Sequence, residues 1–270
     1  MPFKSPADIA QASCTVGKTK SEMKWDRLLI LGFLAGAYIA FGGLLAQVVG
    51  GAVPGIKADN PGLQKFIFGG VFPVGLMLVV IAGSELFTGN CLLPIISALN
   101  GKAKWGGVFK NWVFVYLGNF VGSLFVAFCL AYVTQLLAKD PWLASAKSLA
   151  EAKAALPFWV AFFRGIGCNW LVCLAVWMAI SSDDIIGKVW AIWFPIMAFV
   201  AIGFEHSVAN MYFIPTGMFY GANVSWGQFL IGNLLPVTLG NIVGGAGFVA
   251  VLYWYVYLRE KPAPTPAPPK

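Results

Sequence analysis

Glu85, Glu205 and His206 are the strongly ionisable residues that fall deep inside long apolar stretches of this 270-residue chain. Ionisable groups are costly in lipid, and where they persist they mark ion or proton pathways. His206 is the single histidine, so its imidazole is the one group in the chain with an ordinary pKa near neutrality. One histidine with sparse carboxylates cannot build a zinc site. The five cysteines, Cys14, Cys91, Cys129, Cys168 and Cys173, form no C-x-x-C pair, so neither a metal nor a disulfide framework is expected. No nucleophile motif accompanies the histidine. The expected chemistry is passage of a small solute, with no cofactor and no enzymatic reaction.

The residues around these groups show what must position them. Gly83-Ser84-Glu85-Leu86-Phe87-Thr88-Gly89-Asn90 and Gly203-Phe204-Glu205-His206-Ser207-Val208-Ala209-Asn210 are polar interruptions inside apolar segments at 66–100 and 188–218. A bilayer needs about 20 residues per helix, so both segments are too long for one plain helix and read as broken helices. Glu85 and Glu205 are expected to be structural acids, accepting hydrogen bonds from backbone N–H groups freed at the breaks; a proton relay is the alternative. The other apolar segments lie at 27–52, 108–137, 157–180 and 228–258, which makes six spans. Only 11% of residues are charged, against about 25% in soluble domains. The runs are continuous rather than alternating, so the fold class is an all-α membrane protein and not a barrel.

The halves repeat. Leu117-Gly118-Asn119-Phe120-Val121-Gly122 returns 122 positions later as Leu239-Gly240-Asn241-Ile242-Val243-Gly244. Gly83, Glu85 and Asn90 return as Gly203, Glu205 and Asn210. With three spans per half, the second half must run through the bilayer in the opposite sense. Inverted repeats of this kind place a substrate site near the midplane at the broken helices. The Gly-x-x-x-Gly pairs are read as close helix contacts. The resulting division is an N-terminal amphipathic helix in 1–26, started by Ser5-Pro6-Ala7-Asp8 and lying on the membrane surface; a six-helix channel domain at 27–258 with repeats 27–137 and 157–258; and a disordered Pro-rich tail at 259–270.

Twelve of the eighteen Lys and Arg residues fall on the face that carries both termini and five on the other, with Arg164 near the outer end of the fourth span. The excess makes both termini cytoplasmic in a multi-pass protein of the cell membrane. The net charge of +7 is explained the same way and does not call for nucleic acid.

The two break motifs, together with Asn-Trp-Leu-Val-Cys-Leu-Ala-Val-Trp-Met at 169–178 and Pro-Val-Thr-Leu-Gly-Asn-Ile-Val-Gly-Gly at 236–245, resemble the formate–nitrite transporter family over about residues 5–260. The resemblance implies an aquaporin-like fold and a lipid-embedded homopentamer with one pore per protomer. By matching motif it makes His206 the central pore histidine, Thr88 its partner, Asn169 a polar pore residue and Lys153 a lysine of the outer vestibule. It makes Phe72, Leu76, Leu86, Phe87, Val172 and Phe199 the apolar residues of two constrictions; without it they would be ordinary core. The implied cargo is a small monovalent anion, formate first, with nitrite, hydrosulfide, acetate or lactate as alternatives. A water or glycerol channel would share the architecture, but neither break carries Asn-Pro-Ala.

Overall fold

The computed structural model describes residues 3–259, which form helices joined by short turns. The part of the Pro-rich tail from 260 onward lies outside the described residues. Six helices are long and apolar enough to cross a membrane. They are α2 (Trp25–Gly50), α4 (Pro61–Gly83), α6 (Trp105–Tyr132), α8 (Phe158–Ser181), α9 (Ile185–Ile202) and α11 (Gln228–Tyr257). Between them stand α1 (Pro6–Glu22), α3 (Pro54–Asp59), α5 (Phe87–Leu99), α7 (Trp142–Ala154) and α10 (Ser207–Phe219). The all-helical six-span architecture expected from composition is the one found.

The backbone leaves helical geometry at two places. α4 ends at Gly83 with φ +87°, Ser84 to Leu86 run without helix, and α5 starts at Phe87. α9 ends at Gly203 with φ +91°, Phe204 to His206 run without helix, and α10 starts at Ser207. Positive φ is the left-handed region that glycine enters without a Cβ penalty, so these two glycines turn the chain out of each helix. The short helices α5 and α10 then sit inside the protein, and every residue from Ser207 to Gly217 is buried.

Small residues bring the long helices together. A Cβ on Gly122 would lie 2.0 Å from the Phe33 carbonyl oxygen, and one on Gly240 would lie 2.1 Å from that of Phe162. These are contacts of α6 on α2 and of α11 on α8, the same pairing in each half. Tyr116 on α6 and Thr238 on α11 occupy equivalent repeat positions, and their hydroxyls are 2.8 Å apart. On the outside, Phe109, Val113, Leu117 and Val121 follow one another at helical spacing and are all more than half exposed. A continuous apolar stripe of this kind needs lipid or another protein copy against it.

One element departs from expectation. α1 forms, capped as expected by Ser5 accepting from the Asp8 N–H, but it does not leave its apolar face free for a membrane surface. Ile9, Ala10, Cys14 and Gly17 are buried, and Gly17 lies so close to α5 that a Cβ would fall 1.8 Å from the Leu93 oxygen. The small side chains let α1 dock on protein instead of lipid.

Gly240→Ala should therefore lower the thermal midpoint of the detergent-solubilised protein, at a cost of about 1–3 kcal/mol for overpacking. Gly106→Ala, where a Cβ meets nothing within 4 Å, should leave the midpoint unchanged or slightly raised.

Candidate anion pathway

The site is built on the two breaks, and the same polar framework holds each one. At the first, Asn119 of α6 donates through Nδ2 to the Gly32 and Glu85 carbonyls at 2.8 and 2.9 Å, while its Oδ1 accepts from the Phe87 N–H at 2.9 Å. At the second, Asn241 of α11 donates to the Gly165 and Glu205 carbonyls at 2.8 and 3.0 Å and accepts from the Ser207 N–H at 2.9 Å. One further peptide N–H at each break reaches a neighbouring helix: Glu85 donates to the Leu31 oxygen and Glu205 to the Arg164 oxygen, both at 3.2 Å.

This corrects the role expected for the two acids. Side-chain amides of Asn119 and Asn241 satisfy the freed backbone, and the carboxylates bind side chains instead. Glu85 accepts from Lys20 at 2.6 Å and from Asn90 at 2.7 Å; Glu205 accepts from Lys153 at 2.8 Å and from Asn210 at 2.6 Å. Asn90 and Asn210 each donate onward at 2.8 Å, to Asn111 and Asn233. Asn111 and Asn233 donate back to the backbone oxygens of Lys20 and Lys153. Each break thus carries one Lys–Glu pair inside an asparagine cage.

Lys153 is accordingly held in a buried ion pair and is not a solvated surface charge. Its side chain is 14% exposed, and its ammonium also lies 5.6 Å from the Phe213 ring centre. Lys20 plays the matching part from α1. In the sequence it is one of the twelve basic residues of the face that carries both termini. The available signal was Gly32 and Gly165, which stand the same distance from each other as Lys20 does from Lys153.

Two cavities open onto these pairs. One, of about 440 Å³, is lined by Phe72, Lys153, Arg164, Phe199, Glu205 and His206 among others. The second, of about 380 Å³, is lined by Lys20, Leu76, Leu86, Glu85 and Lys188 among others. Phe72 and Phe199 therefore belong to the Lys153 side, and Leu76 and Leu86 to the Lys20 side. Val172 is buried and lines neither cavity. Phe87 faces away from both: its ring lies 4.8 Å from that of Tyr116 and 5.8 Å from that of Trp112, beside a third, outward-facing groove.

His206 lines the first cavity and Leu86 and Gly89 line the second; Thr88, fully buried, lines neither, and its Oγ1 lies 2.9 Å from His206 Nε2. His206 is also the N-cap of α10: its Nδ1 accepts from the Ala209 N–H at 3.0 Å. That contact settles the tautomer. With Nδ1 accepting, a neutral ring carries its proton on Nε2, donates to Thr88, and leaves the threonine hydroxyl hydrogen free for another acceptor. Leu86, the mate of His206, makes no side-chain cap. The Phe199 ring stacks on the imidazole at 5.8 Å. Asn169, expected as a polar pore residue, is fully buried and lines neither cavity; it donates to the Thr88 and Asn241 oxygens at 3.1 and 2.7 Å and so positions Thr88.

Lys153→Met should destabilise the protein by about 3–5 kcal/mol, because it leaves a buried carboxylate without its partner. Adding Glu205→Gln should recover much of that loss. A thermal-denaturation double-mutant cycle in detergent checks both; additive losses would show that the two charges are not coupled.

The sequence profile described as formate/nitrite transporter matches residues 7–255. A probable formate transporter of Methanothermobacter thermautotrophicus is 57% identical over 96% of this chain and 98% of its own length. The formate channel BtFdhC of Bacillus thuringiensis is 42% identical over 96% of this chain and 98% of its own. A solved pentameric formate channel with formate bound superposes with a TM-score of 0.76 at 34% identity, over 87% of this chain and 98% of that one. The chain belongs to the formate/nitrite transporter family and is a multi-pass membrane protein.

Proposed function

We propose that this protein is a formate channel that passes its substrate between the two cavities as the neutral acid. The observation that carries the reading is the Thr88–His206 contact, set between two funnels that each hold a Lys–Glu pair. A bare carboxylate in an apolar medium costs many kcal/mol. Protonating a carboxylic acid with a pKa near ~4 costs about 4 kcal/mol at neutral pH. An anion gathered at a funnel therefore crosses the apolar residues, Phe72 and Phe199 on the Lys153 side and Leu76 and Leu86 on the Lys20 side, more cheaply with a proton than without one. His206 serves as a fixed hydrogen-bond donor: its Nε2 proton orients Thr88, whose hydroxyl hydrogen meets the passing oxygen. Both lysines keep further N–H donors beyond the one given to glutamate, so each can hold the anion at the rim of the barrier.

Further parts of the reading concern arrangement. The two halves cross the bilayer in opposite senses; the shared break framework and the contact of Tyr116 with its own repeat mate Thr238 support this, since a residue that touches its mate stands on the axis between the halves. Both termini are cytoplasmic in the cell membrane, so the Lys153 funnel opens outward and the Lys20 funnel inward. The protein assembles as a homopentamer with a pathway in each protomer, supported by the pentameric relative and by the exposed apolar stripe on α6. Formate leads because the relatives compared are described by formate; the family description keeps nitrite as the alternative.

Proteoliposomes loaded with isotope-labelled anions test the reading. Formate should equilibrate faster than acetate, lactate or nitrite, and a faster nitrite flux would give the function to the alternative. Thr88→Val should cut formate flux about tenfold or more, since a buried donor is left without its acceptor. His206→Asn should lower the rate while formate flux keeps its rise toward acid pH; an unchanged rate would remove the histidine from the barrier.

A further inference from the structure

The Lys–Glu pairs are matched, but the funnels around them are not. Glu205 donates its backbone N–H to the Arg164 oxygen and Glu85 donates its own to the Leu31 oxygen, each at 3.2 Å. Arg164 and Leu31 are therefore equivalent positions on α8 and α2, and each lines the cavity of its own half. An arginine on one side answers to a leucine on the other. The surrounding charge is unequal in the same sense. The Lys153-side cavity is lined by Lys57, Lys65, Lys153 and Arg164 against Glu205, an excess of three cations. The second cavity has Lys20 and Lys188 against Glu85, an excess of one.

We propose that Arg164 is a binding residue for planar two-oxygen anions in the Lys153-side funnel, and that it makes the two mouths of the pathway unequal in affinity. Lys153 is held by Glu205, so its charge is largely compensated, whereas Arg164 takes part in none of the four ion pairs among the described residues. Lys57 and Lys65 are exposed charges on α3 and α4, and Arg164, on α8, is exposed as well. Arg164 differs in that its carbonyl accepts the Glu205 N–H, which ties its stretch of α8 to the break. A guanidinium offers two parallel N–H groups that match the two oxygens of a carboxylate or of nitrite, which an ammonium or a round anion does not reproduce. Passive flux still runs down the gradient in either direction; the asymmetry lies in the concentration at which each face half-saturates.

The inference deepens the proposed transport reading, so the test has one arm that needs transport and one that does not. In right-side-out and inside-out vesicles, Arg164→Leu should raise the half-saturating formate concentration about tenfold at the Lys153 face, and change it less than twofold at the Lys20 face. Arg164→Lys should recover only part of that loss. Equal shifts at both faces, or full recovery by lysine, would overturn the proposal. The second arm is the thermal midpoint of the detergent-solubilised protein in sodium formate, sodium nitrite or sodium chloride at equal concentration. The two planar anions should stabilise the parent chain more than chloride does, and Arg164→Leu should abolish the difference while keeping the elution volume of the assembled protein. A parent chain that carries no formate but shows this Arg164-dependent stabilisation would sink the formate reading and keep the binding site. Identical stabilisation in the parent and the variant would remove Arg164 whatever the transport result.

Discussion

The constraint on which the rest depends is that a peptide group stripped of its helix in a bilayer has no water to turn to. Each break frees peptide groups at membrane depth, and in each half one asparagine, Asn119 or Asn241, takes a carbonyl and an N–H of the broken segment together. That single side chain lets a helix stop at Gly83 or Gly203, turn, and start again inside the protein. The carboxylates are then free for another purpose. Glu85 and Glu205 gather a lysine and an asparagine each, which places a compensated cation beside the restart of α5 and α10.

With this symmetric frame in place, the chemistry comes from the departures from symmetry. His206 stands where the other half has Leu86, and it both caps α10 and reaches Thr88. Capping fixes the imidazole as a donor toward Thr88. Asn169 on α8 ties the Thr88 carbonyl; in the other half the equivalent carbonyl, of Val208, is met by the Ser123 hydroxyl of α6 at 3.4 Å instead. The second half thus supplies an imidazole and the first a hydroxyl, and the two meet between the cavities. Neither half alone could place both groups there.

The sequence was most legible where physical cost is highest. Glutamate and histidine inside apolar runs located both breaks, and span lengths with the repeated Leu-Gly-Asn motif located the helices. Legibility fell where a residue type has an ordinary explanation. Asn119 and Asn241 sit inside Gly-x-x-x-Gly motifs, whose glycines do bring helices together, and that reading hid the asparagine between them. Lys20 lies in the N-terminal helix, where basic residues have the ordinary role of setting orientation; only the fold of α1 back onto α5 carries it to Glu85. Phe87 adjoins Thr88 in sequence but points to Tyr116 and Trp112, because the first turn of a restarted helix sends consecutive side chains to different faces. Side-chain direction at a break is set by the turn geometry, and a string of residue types does not contain it.

The central claim is that the substrate crosses the Thr88–His206 barrier with a proton. Vesicles holding a trapped pH indicator, with protein-free vesicles as the baseline for acid that crosses lipid unaided, measure this directly. On imposing an inward formate gradient, the account predicts that the lumen acidifies by one proton for each formate taken up, at a rate that an imposed membrane potential does not change. Formate uptake driven by the potential, without matching acidification, would mean that the bare anion crosses and would contradict the account.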